Sequence, residues 1–357
     1  MAAIRIRALA LLFLTLIVGS SSASQLEPTR AGQESFIRRA VFADGLLWLL
    51  SDAGRLSSIA NGGDSRVEAM LPEPALELWS HSGQPAVITC GRDSCPNWTI
   101  RERVGQRWIA TAKVSTEGDQ LVAVGHVGDT VALLTQRRII EIVGDKQITT
   151  ALSQPLRAGR IASAYIAPTS IFVGFNNGEW GGGLQRIGRQ TGEVSAIESN
   201  TSGQLCGGPL NTDCDPVNGI AAEPWKPECI AVAVGLVHMA PHGRIVEVCG
   251  DVVRGLYIKP HGQQPPENEV TRERDEPFST VAFFELKAGG AGTLWAAGID
   301  GIYQIGPEGL MQSTPLPKFK QVDGLSVSFD LPDVVVVLTD VNRRSSLSGS
   351  VPILIPR

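Results

Sequence analysis

The chain has 357 residues, a formal net charge of -5, 43% apolar residues, 39 glycines and 22 prolines. An acidic balance withholds the positive surface on which nucleic-acid binding depends, so nucleic acid is excluded as a partner class. Glycine and proline at this level argue against a helical bundle and for short strands joined by tight turns.

The first residues, MAAIRIRALALLFLTLIVGSSSASQ, place Arg5 and Arg7 before an apolar run from Ala8 to Val18 and then small residues ending at Ala23. That order is the pattern of a secretory signal peptide cleaved after Ala23, and the run is shorter than the roughly 20 residues of a membrane-spanning helix. The expectation is a signal peptide at 1–23 and one exported domain at 24–357, periplasmic or secreted. Loss of Arg5 and Arg7 takes the formal charge from -5 to -7. No later apolar stretch is long enough to span a bilayer, and no cysteine follows the run to accept a lipid.

Asp44 to Ile59, DGLLWLLSDAGRLSSI, reads as strand, tight turn, strand. Its apolar run suits a buried strand, and Gly54 suits a turn of positive φ. Around it a four-stranded unit can be read from RRAVFAD, LLWLLSD, GRLSSIA and SRVEAM. Further hairpins follow in PAVITCGRDSCPNWTIRE, DTVALLTQRRIIEIVGD, SIFVGFNNGEWGGGLQRI, CIAVAVGLVHMAPHGRIVEVC, AGTLWAAGIDGIYQI and DVVVVLTDVNRRSSLSGSVPILI. A recurrence of about 40 residues is the period of propeller blades, whose apolar sheets bury both faces by stacking around an axis. The fold expected is an all-β, seven-bladed β-propeller, with six or eight blades as alternatives. Residues 25–37 are expected to supply an outer strand that clasps the last blade to the first.

The exported part carries all six cysteines, and oxidation to disulfides is the default there. Local order favours Cys90 with Cys95, Cys206 with Cys214, and Cys229 with Cys249, among 15 arithmetically open pairings. DGLLW...GRL and AGTLW...GIY resemble the blades of exported bacterial propellers of the regulator-propeller, NHL-like and streptogramin-lyase-like groups. Such blades serve sensors, binding proteins, lactonases and lyases, so the resemblance implies a fold and leaves the function to individual residues. Streptogramin lyases use a Glu-x-His element with magnesium; no Glu-x-His occurs here, and that activity does not carry over.

In a propeller the loop between second and third strands of each blade opens on the same face as the blade-to-blade connections, and ligand sites gather there. This rule collects Asn177, Glu179, Trp180, His238 and His242 as candidate ligand-binding residues. The glycine-rich FNNGEWGGGLQRI is not a phosphate cradle, because no Lys-Ser/Thr pair or helix follows its last glycine. An aromatic platform with polar neighbours suits sugars or peptides, while the plain alternative is a turn with Trp180 packed on a neighbour. Asp213, Asp215 and Asn218 offer three oxygen-bearing side chains within six residues, a set suited to calcium or to ordinary turn chemistry. His238 and His242 flank a hairpin tip, where a metal pair competes with plain solvation. No cofactor is required by this reading; calcium or another divalent metal is the alternative.

No nucleophile elbow, zinc-protease helix, haem-attachment motif or redox Cys-x-x-C occurs. Gly262 to Phe278 is charged and proline-bearing, as a solvated excursion or a partner-binding arm would be. Asn97 and Asn200 stand in glycosylation sequons. The function expected is a non-catalytic exported propeller that binds a small molecule, glycan or envelope protein through its long-loop face. A metal-assisted hydrolase or lyase using Glu179, His238, His242 or Asp215, and a structural subunit of an envelope assembly, are the alternatives.

Overall fold

Apolar runs in the second strand of each repeat drive the fold. A computed structural model of the chain describes residues 37–60, 66–91, 94–200, 206–238, 240–262, 279–289, 292–315, 325–330, 335–340 and 353–355. They form six four-stranded antiparallel sheets in chain order. The first contains β1 (Ile37–Ala43), β2 (Leu46–Ser51), β3 (Leu56–Ala60) and β4 (Arg66–Glu68). The second contains β5 (Ala75–His81), β6 (Gln84–Thr89), β7 (Asn97–Val104) and β8 (Arg107–Ser115); the third β9 (Leu121–Val127), β10 (Thr130–Thr135), β11 (Arg138–Val143) and β12 (Lys146–Ala151). The fourth is β13 (Ile161–Ile166), β14 (Ser170–Phe175), β15 (Leu184–Gly188) and β16 (Val194–Ile197); the fifth β17 (Val217–Ala222), β18 (Cys229–His238), β19 (Ala240–Cys249) and β20 (Val252–Tyr257). The sixth is β21 (Phe283–Ala288), β22 (Leu294–Gly298), β23 (Gly301–Gly306) and β24 (Gly309–Pro315). A three-stranded sheet follows, of β25 (Leu325–Asp330), β26 (Val335–Asp340) and β27 (Ile353–Ile355).

The chain is therefore an all-β propeller with six full blades, the stated alternative and not the seven first expected. All seven hairpins read from the sequence form, but the last lies in the three-stranded sheet, for which no fourth strand is found among the described residues. First strands touch in a closed cycle: β1 on β5, β5 on β9, β9 on β13, β13 on β17, β17 on β21, β21 on β25, and β25 on β1. Of the expected clasp, residues 25–36 lie outside the described residues. Ile37 opens the inner strand β1, not an outer one, because it pairs with Ser51 of β2.

Burial explains the apolar patterning. β2, β6 and β10 are buried almost throughout, whereas the outer strands β12 and β24 face solvent along most of their length. Second strands are thus covered on both faces, by the blades before and after. The core consequently lies at the seams. Trp79, Ile88, Trp98 and Ile100 of the second blade pack with Val131, Leu133 and Ile140 of the third. Equivalent clusters join the first and second, third and fourth, fourth and fifth, and fifth and sixth blades.

The two tryptophan-bearing repeats differ at their turn glycine. Gly54 has φ 75°, and a Cβ there would meet Pro74 Cβ at 2.7 Å. Gly301 is not in the left-handed region; it begins β23 where a Cβ would stand 2.9 Å from Thr314 O. One glycine serves the turn and the other serves close packing of neighbouring strands. The three disulfides are Cys90–Cys95, Cys206–Cys214 and Cys229–Cys249, the pairing expected from local order.

Candidate functional site

The glycine-rich loop between β14 and β15 is built from its own polar atoms. Asn176 Oδ1 accepts from Gly178 N at 2.8 Å, and Asn177 Oδ1 accepts from Arg160 N at 3.0 Å. The first bond closes the turn ahead of the 3-10 turn at Gly178–Trp180, and the second ties the loop to the connection before β13. Asn177 therefore shapes the loop. The next glycines approach the disulfide-braced connection before β17. Gly182 N donates to Thr212 O at 2.9 Å, and Gly183 N donates to Asp215 O at 2.8 Å. A Cβ at Gly181 would sit 2.2 Å from Asp213 O, and one at Gly182 1.9 Å from Phe175 O. These contacts require glycine at both positions. Their amides are committed to carbonyls, which leaves them unable to grip a phosphate.

The same approach presents Glu179 and Trp180 outward. Trp180 is 77% exposed, so the packed-turn reading fails for its side chain. Glu179 Oε2 lies 3.0 Å from His238 Nδ1, at the tip of the β18–β19 hairpin. Loops of the fourth and fifth blades thus meet through an exposed carboxylate–imidazole pair.

His238, His242 and Arg244 share one face of that hairpin, because His238 pairs with Ala240, Leu236 with His242 and Val234 with Arg244. Lower on this face Arg244 Nη2 donates to Asp215 Oδ2 at 2.7 Å, and both side chains are almost wholly buried. Arg244 also donates to Pro209 O at 2.8 Å and to Gly208 O at 3.2 Å, and its Nη1 stands 2.9 Å from His242 Nε2. His242 therefore belongs to the arginine network beneath the tip.

Asp213, Asp215 and Asn218 have separate environments. Asp215 is held by Arg244 and by Asn211 N at 2.6 Å. Asn218 Nδ2 donates to Gly235 O at 2.7 Å and to Phe283 O at 2.9 Å, while its Oδ1 accepts from Asn176 Nδ2 at 2.6 Å. It joins the fourth, fifth and sixth blades where β17 bulges between Val217 and Gly219. Asp213 is exposed. Two of the three side chains are thus engaged in holding blades and connections together.

Two polar clusters escape a motif-based reading. On the long-loop face, Lys259 Nζ donates to Asp300 Oδ2 at 3.0 Å and to Tyr303 Oη at 2.8 Å; Tyr303 Oη in turn donates to Asp300 Oδ1. Burial, then Asp300, holds the Tyr303 phenol well above its usual range. Asp300 stands at a hairpin tip, whereas Tyr303 reads as an ordinary strand residue. On the opposite face, Trp79 Nε1 donates to His126 Nδ1 at 2.8 Å, and His81 stacks on His126 at 3.6 Å between centroids. Burial, then His81, lowers His126 to about 4, so its imidazole is a neutral acceptor.

Two outcomes follow from these networks. Arg244→Ala leaves Asp215 buried without its cation and lowers unfolding free energy by about 3–5 kcal/mol in urea titration. A loss below about 1 kcal/mol would contradict the network. His126 binds fewer protons folded than unfolded between about pH 4 and its ordinary 6.5, so stability rises with pH across that window. His126→Gln removes this part of the slope, read from melting temperatures at stepped pH; an unchanged slope would assign it to other groups.

No known family profile matches the chain, and no curated protein sequence matches it. Solved structures do. The extracellular domain of the BT4673 system from B. thetaiotaomicron aligns with a TM-score of 0.53 at 13% identity, covering 91% of this chain and 39% of that one. YCF48 bound to D1 peptide aligns at 0.52 and 12% identity, covering 86% and 90%. A puromycin-hydrolyzing peptidase of Mycobacterium tuberculosis aligns at 0.53 and 14%, covering 91% and 53%. The chain thus spans less than two thirds of the first and third of these proteins. At such identities the likeness is one of fold, and it agrees with the blade resemblance read from the sequence.

Proposed function

We propose that this chain is an exported recognition propeller that binds a polypeptide segment at the seam between its fourth and fifth blades. One observation carries this reading: Trp180 is 77% exposed, beside a Glu179–His238 pair that joins two blades. A large aromatic side chain on a rigid loop is expensive to leave in water and is the residue type most often found at the centre of binding hot spots. Its loop is fixed by backbone bonds to the connection below, so little order remains to be gained on binding. The complex of YCF48 with a peptide supplies a precedent for peptide binding on this fold. Export rests on the signal-like first 23 residues, the three disulfides, and an extracellular domain among the similar structures. Among the described residues no helix is long and apolar enough to cross a membrane. In this reading residues 24–357 are the exported part, whose propeller has six full blades followed by the three-stranded sheet of β25 to β27.

The metal-assisted hydrolase reading draws on Glu179, His238, His242 and Asp215. Asp215 and His242 lie against Arg244, an environment that disfavours an added cation. The envelope-subunit reading rests on the acidic excursion near 270, which lies outside the described residues.

The test is selection of a displayed peptide library on the purified chain, with a glycan array in parallel. Peptides recovered by the wild type should bind Trp180→Ala about 30-fold more weakly, the usual cost of losing a hot-spot aromatic, with melting temperature unchanged. Equal binding by Trp180→Ala, or recovery of glycans alone, would overturn the peptide reading.

A further inference from the structure

Charge is distributed unevenly around Trp180. The connection from residue 198 to 216 carries Glu198, Asp213 and Asp215 and neither lysine nor arginine. Glu198 and Asp213 are exposed. Asp213 adjoins the residue after Trp180, since a Cβ at Gly181 would stand 2.2 Å from its carbonyl oxygen. Glu198 Oε2 accepts from Thr212 N at 3.3 Å, which holds its carboxylate against the same stretch. On the fifth-blade hairpin, residues 229–249, the sole Lys or Arg is Arg244, which is buried and answered by Asp215. Glu179 gives one oxygen to His238 at 3.0 Å, and its side chain is still 47% exposed. The cations beside the loop, Arg157 and Arg160, belong to the connection from the third blade, and Arg157 Nη1 donates to Gly182 O at 2.8 Å. Toward the fifth blade Trp180 is therefore flanked by carboxylates.

On the basis of the peptide binding proposed for this seam, we propose that the bound segment carries an arginine, whose guanidinium stacks on the Trp180 indole and donates to the Glu179 carboxylate. An exposed indole beside a carboxylate offers both kinds of contact that this side chain makes. Its planar cation lies flat on an aromatic face while its edge donates N–H groups to an oxyanion. Lysine is a compact, strongly hydrated point charge and satisfies the two less well at once. An acidic side chain in the same place would meet Glu179 and Asp213 as like charges.

The pair with His238 serves this role by holding the Glu179 carboxylate beside the indole before the segment arrives, so less side-chain order is lost on binding. The formal charge of -5 on the whole chain adds attraction at longer range. Contacts between exposed charges are screened by salt. The arginine contribution therefore fades as salt rises, whereas the apolar contact of Trp180 persists.

Random displayed peptides selected on the purified chain should be enriched in arginine over the starting library. A recovered peptide is then synthesised with arginine, lysine or the neutral isostere citrulline at the enriched position, and each is titrated against wild type, Glu179→Gln and Asp213→Asn by fluorescence at low and high salt. The citrulline peptide should bind about tenfold more weakly than the arginine peptide, with the lysine peptide between them. Glu179→Gln should weaken the arginine peptide and leave the citrulline peptide unchanged, a coupling that a merely structural role for Glu179 would not produce. Asp213→Asn should act in the same direction by a smaller factor, and it decides the matter should Glu179→Gln fail to fold. Recovered peptides without arginine, equal binding of the arginine and citrulline or lysine peptides, or the same loss for both peptides in Glu179→Gln would overturn the arginine proposal and leave peptide binding standing. Recovery of no peptide would overturn peptide binding itself, and the arginine proposal with it.

Discussion

Each four-stranded sheet of this protein has two apolar faces, and it cannot cover either one itself. The whole architecture follows from that constraint. Leu133 and Ile140 are wholly buried only because Trp79, Ile88 and Ile100 of the preceding blade stand against them. The other four seams between the full blades repeat the arrangement with different residues. A ring satisfies all sheets at once, and the contact of β25 with both β21 and β1 closes it. The outer strands are released from this demand, and their exposed polar pattern records it.

The candidate site exploits the same seams. A rigid ring fixes the distance between loops of neighbouring blades, so residues far apart in sequence can be held in register. Glu179 and His238 meet because the fourth-blade loop is pinned to the 212–215 backbone and the fifth-blade hairpin is anchored by Arg244. The glycines act here by omission. With no Cβ at Gly181 and Gly182, two backbones come close enough for direct amide-to-carbonyl bonds, and the intervening Trp180 is left outside.

Hairpins and disulfides were legible because both depend on short-range order. An apolar run, a turn residue and a second run are contiguous, and Cys229 faces Cys249 once the hairpin between them is drawn. The convergence of blades four and five was legible from the loop rule alone. What escaped was the pairing of charged and amide side chains across blades. Asp215 carries the oxygen that calcium would want, yet nothing near it in sequence names Arg244 as its partner. Asn218 likewise reads as a turn residue while joining three blades. The blade count missed for a related reason: a hairpin announces the middle of a blade and says little about its outer strand.

The central claim is that position 180 faces a protein partner where the chain resides. Photo-crosslinking tests it most directly. A photoreactive phenylalanine at position 180 is activated in the cells that make the protein, with the same residue at position 148, on solvent-facing β12, as the comparison. The account predicts a discrete protein adduct from position 180 and none from position 148. No adduct from 180, or the same adducts from both positions, would contradict it.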